Sequence, residues 1–125
     1  MEKLEIKDAF IKTDEYRGNK EIKELGLINA VAILAGNVFA ECDALESVFF
    51  GLDITRISNG TFRDCKSLTD VWFAITDKDK IIEIAEDAFD GCKKPITFHI
   101  FASAIDNKYL NRYARSHGFQ VTGMI

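Results

Sequence analysis

Hydrophobic and polar positions repeat along this chain in a long, regular period. Three segments align without gaps, and each holds a Phe, a Cys three positions later and two apolar residues six and eight positions after that Cys. An apolar residue also lies five positions before each Phe. Agreement at this many positions indicates an internal repeat. The segments are residues 37–50, 60–73 and 87–100, and they contain Cys42, Cys65 and Cys92 at the shared cysteine position.

Each repeat predicts one turn and one strand. The segment from Phe62 to Cys65 is too short for a helix, and a single turn would direct both side chains inward. The following Leu68-x-x-Val71-x-Phe73 alternates as a strand with one buried face does. Stacked copies cover the apolar face that one copy cannot, in a parallel sheet with strands about 4.8 Å apart. We expect at least four strands, with the inward pairs Leu25/Leu27, Val48/Phe50, Val71/Phe73 and Phe98/Ile100.

The carboxyl-terminal residues predict a helix that closes the stack. Asp106 is the expected N-cap, the helix is expected to continue to about Ser116, and Gly118 is a natural stop. One side of this helix is suited to packing on the last repeat. Residues 119–121 predict one more short strand. The residues on the packing side are Leu110, Tyr113, Ala114 and His117.

The amino-terminal residues predict a small β lid over the other end. We therefore expect a single domain over residues 1–125, with an amino-terminal cap at 1–20, repeats at 21–101 and a carboxyl-terminal cap at 102–125. The apolar residues of the lid are Leu4, Ile6, Phe10, Ile11 and Tyr16, before a Gly18-Asn19 turn.

Two of the repeats carry a recognisable motif. The run Ile57-x-x-Gly60-Thr61-Phe62-x-Asp64-Cys65-x-Ser67-Leu68-Thr69-x-Val71-x-Phe73 closely resembles the BspA-like leucine-rich repeat family, and so do residues 84–92. The resemblance covers roughly residues 20 to 120. It departs from the family after two strands, where Gly51-Leu52-Asp53 and Ile28-Asn29 stand in place of the usual Pro.

The resemblance implies a fold and a class of function. The fold is an α/β, short right-handed leucine-rich-repeat solenoid with a parallel sheet on its concave face and a carboxyl-terminal helix as cap. The family is known for cell-surface adhesion and protein binding. It has no shared catalytic residues, so none can be transferred to this chain.

Composition narrows the range of partners. The chain has 125 residues and a formal net charge of −4, which argues against electrostatic binding of nucleic acid. Its longest apolar stretch, residues 30–36, is far shorter than the roughly 20 residues of a membrane-spanning helix. The first residues lack the hydrophobic segment of a secretory signal, which as written predicts a cytoplasmic protein. The family resemblance instead suggests a cell-surface or secreted one.

Candidate chemistry is sparse. Three cysteines in one column give parallel side chains, whereas zinc requires four converging ligands, so we interpret the thiols as core packing. Asp77 and Asp79 lack the further oxygens of a calcium site. The chain contains no phosphate-binding loop, nucleophile elbow or dinucleotide motif. We therefore expect no metal, no cofactor and no enzymatic activity.

One set of residues predicts a binding surface. If the residues on either side of them point inward, then Phe49, Trp72 and His99 point outward from successive strands, beside Gly26. Exposed aromatic residues in a contiguous strip are typical of binding surfaces. Asp70 and Phe101 lie in the neighbouring columns. We predict that these five side chains, Phe49, Trp72, His99, Asp70 and Phe101, bind a protein or peptide on the concave sheet face.

Other interpretations of the same strip remain open. Two copies could pair face to face in a homodimer. Trp72 and Phe49 could stack on sugar rings in a carbohydrate-binding adhesin, with Asp70 as a hydrogen-bond acceptor. The aromatic residues could also support one another as cross-strand pairs, or the amino-terminal segment could cover them. A deep polar pocket around His99 and Asp70 would favour an enzyme.

Overall fold

Two parallel sheets enclose the hydrophobic core. The computed structural model describes residues 3–6, 13–27 and 33–124. The larger sheet has six strands in the order β1-β2-β4-β6-β8-β9 and the smaller has three in the order β3-β5-β7. The elements are β1 (Lys3–Ile6), β2 (Glu24–Leu27), β3 (Ile33–Leu34), β4 (Ser47–Phe50), β5 (Arg56–Ile57), β6 (Asp70–Phe73), β7 (Glu83–Ile84), β8 (Thr97–Phe101), a 3-10 turn (Ala102–Ala104), α1 (Lys108–His117) and β9 (Gln120–Met124).

The register of the larger sheet follows the repeat. Every strand pair is parallel, and Leu25, Val48, Val71 and Phe98 occupy one continuous inward row. These four strands are the ones predicted from the alternation, and the edge strands β1 and β9 extend the sheet to six. The predicted architecture, a short solenoid with a parallel sheet and a carboxyl-terminal helix, is confirmed.

The smaller sheet was not predicted as a sheet. Its strands have two residues each, and the repeated apolar residue upstream of each Phe ends the strand, as Leu34, Ile57 and Ile84 do. Two residues are too few to show an alternation in the sequence. Only the stacking of the repeats reveals that these positions pair.

A column of aromatic rings runs through the core. Tyr16 stacks on Phe39 with centroids 5.3 Å apart, Phe39 on Phe62 at 5.8 Å, and Phe62 on Phe89 at 5.3 Å. Phe62 and Cys65 are fully buried, which confirms that the turn directs both inward. Such contacts between rings add to the free energy gained from burial alone.

The turn that carries each ring has a repeated backbone form. In the turn of Phe62, Gly60 and Asp64 lie two residues before and after the ring, and both have a left-handed φ. In the next repeat Gly91 takes the place of Asp64, and a Cβ there would collide with the Asp64 carboxylate. The turns also bond to each other, since Phe62 N donates to Ala88 O at 2.8 Å.

The carboxyl-terminal helix begins one residue later than predicted. Its N-cap is Asn107, not Asp106, because the Asn107 side-chain oxygen accepts hydrogen bonds from the backbone N–H groups of Tyr109 and Leu110. The helix continues to His117, and Gly118 ends it in a left-handed conformation as expected. On the packing side of the helix, Leu110, Tyr113 and Ala114 are buried and His117 is half-buried. The short strand predicted at 119–121 is β9, over residues 120–124.

At the amino end, the residues expected to form a lid supply an edge strand of the main sheet. β1 pairs with β2 through Leu4↔Leu25 and Ile6↔Leu27, and Tyr16 begins the aromatic column. Phe10 and Ile11 lie outside the described residues. The division into caps and repeats at residues 20/21 and 101/102 stays a prediction. Among the described residues, no helix has the length and apolar character needed to span a bilayer.

Candidate functional site

The register brings three of the expected binding residues into one row on the outer face of the larger sheet. Phe49 on β4 pairs with Trp72 on β6, and Trp72 pairs with His99 on β8. Their neighbours along each strand are buried, as the alternation requires. We call Phe49, Trp72 and His99 the aromatic row.

Two members of the row are tightly associated. The rings of Trp72 and His99 are stacked with centroids 3.8 Å apart and an angle of 10° between their planes. His99 Nε2 lies 2.7 Å from Asp70 Oδ1, and the hydroxyl of Thr69 donates to the other carboxylate oxygen at 2.7 Å. Partial burial alone would raise the pKa of Asp70, but the hydrogen bonds from His99 and Thr69 outweigh it and lower that pKa. The carboxylate thus fixes the imidazole flat against the indole.

Phe49 is the open end of the row. Its side chain is 40% exposed, and it lies next to Gly26, which has no side chain to fill the corresponding position on β2. The result is a groove of about 300 Å³, which we call the Gly26 groove. It is lined by Lys3, Glu5, Glu24, Leu25, Gly26, Ser47, Val48, Phe49 and Trp72.

Charged groups surround this groove unevenly. The two carboxylates of Glu5 and Glu24 line it, against the single ammonium group of Lys3. Lys3 Nζ lies 3.4 Å from Glu5 Oε1, so its charge is shared with that carboxylate. The side chains that line the groove therefore carry a net negative charge, and the ring of Phe49 lies beside them.

Phe101 lies apart from the other expected binding residues. It is two positions beyond His99 at the end of β8, where it is half-buried and paired with Met124 of β9. It does not line the Gly26 groove. The structure thus brings Phe49, Trp72, His99 and Asp70 together and places Phe101 at the far edge of the same face.

Comparison with known proteins identifies the family. The family model for the BspA-type leucine-rich repeat region matches residues 1–117 in six copies. The chain belongs to the BspA-type leucine-rich repeat family. Leucine-rich repeats commonly mediate protein interactions and are generally non-catalytic. No curated protein and no solved structure matches significantly.

The cysteines of this BspA-type chain form a hydrogen-bonded column. Each thiol donates to the backbone oxygen of the aromatic residue one repeat earlier: Cys42 to Tyr16 at 3.3 Å, Cys65 to Phe39 at 3.2 Å, and Cys92 to Phe62 at 3.4 Å. Burial raises the pKa of all three thiols, that of Cys92 to about 11. Neutral, bonded thiols are poor metal ligands and nucleophiles, so this column is part of the packing.

The two histidines are likewise engaged in structural contacts. His99 is held by Asp70, and His117 stacks on Tyr113 and lies 3.0 Å from the backbone oxygen of Glu86. Neither His99 nor Asp70 lines the Gly26 groove. No group of three potential metal ligands occurs among the described residues.

Sequence reasoning missed the amino-terminal part of this site. Lys3 and Glu5 line the groove beside Glu24 because β1 joins the sheet, whereas the first residues were expected to form a separate lid. A signal was present, since Leu4 and Ile6 alternate with charged residues just as Leu25 and Leu27 alternate with Glu24 and Gly26. The missing Phe–Cys turn between the first residues and β2 concealed this strand in the alignment of repeats.

Proposed function

We propose that this chain is a protein-interaction module that binds a protein or peptide partner across the outer face of its larger sheet. The observation that supports this most directly is the position of Phe49, whose exposed ring lines the Gly26 groove at the open end of the aromatic row. Aromatic side chains held in place on a rigid scaffold give a large contact area at small entropic cost, and they often dominate binding energy.

Mutual support between aromatic residues explains only part of the row. Trp72 and His99 stack on each other, whereas Phe49 has no ring partner among the described residues. One face of the indole is already covered by His99, which leaves less of it for a sugar ring. These features favour a protein partner over a carbohydrate ligand.

The proposal can be tested with a displayed library of random linear peptides selected on the purified chain. Phe49→Ala should weaken the selected peptides about tenfold or more. The matched control is Ile81→Ala, which removes an apolar side chain of 60% exposure from a loop outside the sheet. It should leave affinity unchanged, as measured by fluorescence anisotropy.

Two results would contradict the proposal. One is a set of peptides that binds Phe49→Ala as tightly as the parent chain. The other is a dimer, detected by light scattering, that Phe49→Ala converts to a monomer, because the row would then be a contact between two copies.

A further inference from the structure

We infer that the Gly26 groove accepts a cationic side chain of the partner, with arginine preferred over lysine. This inference rests on the proposed function, because it names the chemistry of the residue that the outer face binds. It follows from three features of the groove: its shape, its charge and the ring that forms its wall.

The shape comes from the register of three strands. Glu5, Gly26 and Phe49 occupy one row on β1, β2 and β4. Glu5 and Phe49 are exposed, and the backbone of Gly26 is buried between them. With strands about 4.8 Å apart, the absent side chain of Gly26 leaves a gap between a carboxylate on one side and a phenyl ring on the other. Glu24 lies two residues before Gly26 on the same face of β2 and also lines the groove.

The charge comes from Glu24, whose carboxylate forms no ion pair with a described residue, although Lys3 is its register partner on β1. Lys3 pairs with Glu5, while the side chain of Glu24 is exposed and makes no hydrogen bond or ion pair with the described residues. A cation in the groove would therefore gain an unpaired acceptor at Glu24. An anion would be repelled by two carboxylates. A purely apolar side chain would remove water from Glu24 without supplying a hydrogen bond in place of that water.

The aromatic wall distinguishes arginine from other cations. A guanidinium group can lie flat on a phenyl ring while its edge donates to a carboxylate, and it loses hydration more readily than an ammonium group does. Phe49 and Glu24 both line the groove, so the groove offers a phenyl ring and a carboxylate to the same side chain. Lysine can make the charge interaction but only a weaker contact with the ring.

The test uses peptides selected from the displayed library, with the arginine at the enriched position replaced by citrulline, its neutral isostere. Glu24→Gln should weaken the arginine peptide about fivefold, since both charges are exposed to water and their attraction is modest. It should leave the citrulline peptide unaffected. The matched control is Glu83→Gln, which makes the same change of net charge on the exposed surface of β7. This control should bind both peptides as the parent chain does.

A second variant tests the inference by a gain of affinity. Lys3→Gln removes the cation that competes for Glu5, so it should strengthen binding of the arginine peptide about twofold or more. An arginine peptide that binds Lys3→Gln no better, or responds equally to Glu24→Gln and Glu83→Gln, would overturn the inference.

The library separates failure of this inference from failure of the proposed function. Selected peptides that depend on Phe49 but carry no enriched cation would overturn the cationic groove and support the binding face. A library that yields no peptide dependent on Phe49 would overturn both. Enrichment of lysine to the same extent as arginine would overturn the stated preference for arginine.

Discussion

The indole of Trp72 and the imidazole of His99 are closer together than their strands are. Their ring centroids are 3.8 Å apart, whereas neighbouring strands are spaced about 4.8 Å apart. The two side chains therefore lean together, and Asp70 holds the imidazole in that position through a 2.7 Å contact. This arrangement stiffens one end of the aromatic row and leaves Phe49 as its exposed end.

Replacing Trp72 by Ala should affect binding far more than folding. The ring is half-buried on the outer face, so its loss should cost less than about 2 kcal/mol of unfolding free energy, including the contact with His99. Affinity for peptides selected on the parent chain should fall below detection. Urea unfolding and fluorescence anisotropy measure the two effects. If Trp72→Ala unfolds the protein, the residue belongs to the core and the proposed binding face is wrong.

The contribution of Asp70 to stability should be lost in acid. Its pKa is lower in the folded chain than in the unfolded chain, so its contribution is fully present above the ordinary Asp pKa of about 3.9 and is lost as pH falls through the lowered value. Since the side chain is 39% exposed, we expect less than about 1 kcal/mol.

The measurement for Asp70 is urea unfolding at about pH 5 and about pH 3. The stability difference between the parent chain and Asp70→Asn should shrink towards the lower pH. Asp53→Asn, at an exposed position outside the strands, is the control. A difference that stays constant or grows on acidification would show that the contact with His99 does not stabilise the carboxylate.

The three thiols should react in an order set by burial. Cys92 is half-buried and has a pKa raised to about 11, so iodoacetamide at about pH 8 should modify it slowly. Cys42 and Cys65 are buried and should react only when the chain unfolds. Mass spectrometry of the digested protein gives the three rates, with a urea-unfolded sample as reference. Equal labelling of Cys65 and Cys92 in the folded chain would contradict the assignment of Cys65 to the core.

Asn107 should be more important for stability than its neighbour Asp106. Its side chain caps α1 and also donates to the backbone oxygen of Lys80 at 2.9 Å, which ties the helix to the loop before β7. Asn107→Ala should lower the free energy of unfolding by about 2 kcal/mol. About half of this loss comes from the missing cap and half from the Lys80 oxygen that is left without its donor. Asp106→Ala should change stability by less than about 0.5 kcal/mol. Thermal and urea unfolding compare the two, and equal losses would contradict this capping arrangement.

The repeated positions were predictable because the same physical requirement recurs in every turn of the stack. An inward residue such as Val71 sits between copies of itself, so its apolar character repeats and the alignment detects it. The choice of Asp106 as N-cap failed for a different reason. Asp and Asn cap helices equally well, and the contact of Asn107 with Lys80, far away in the sequence, decides between them.

The sequence by itself determined the repeat, the inward rows of the larger sheet, the buried Phe–Cys turns and the outward direction of Phe49, Trp72 and His99, because side-chain alternation in a strand is a local property. Only the tertiary structure decided which further segments join the four strands that the repeat predicts. It placed β1 beside β2, formed the small second sheet, and created a groove over Gly26 between residues of three strands. Such contacts depend on how separate segments stack, and no local pattern of residues encodes which distant segments come into contact.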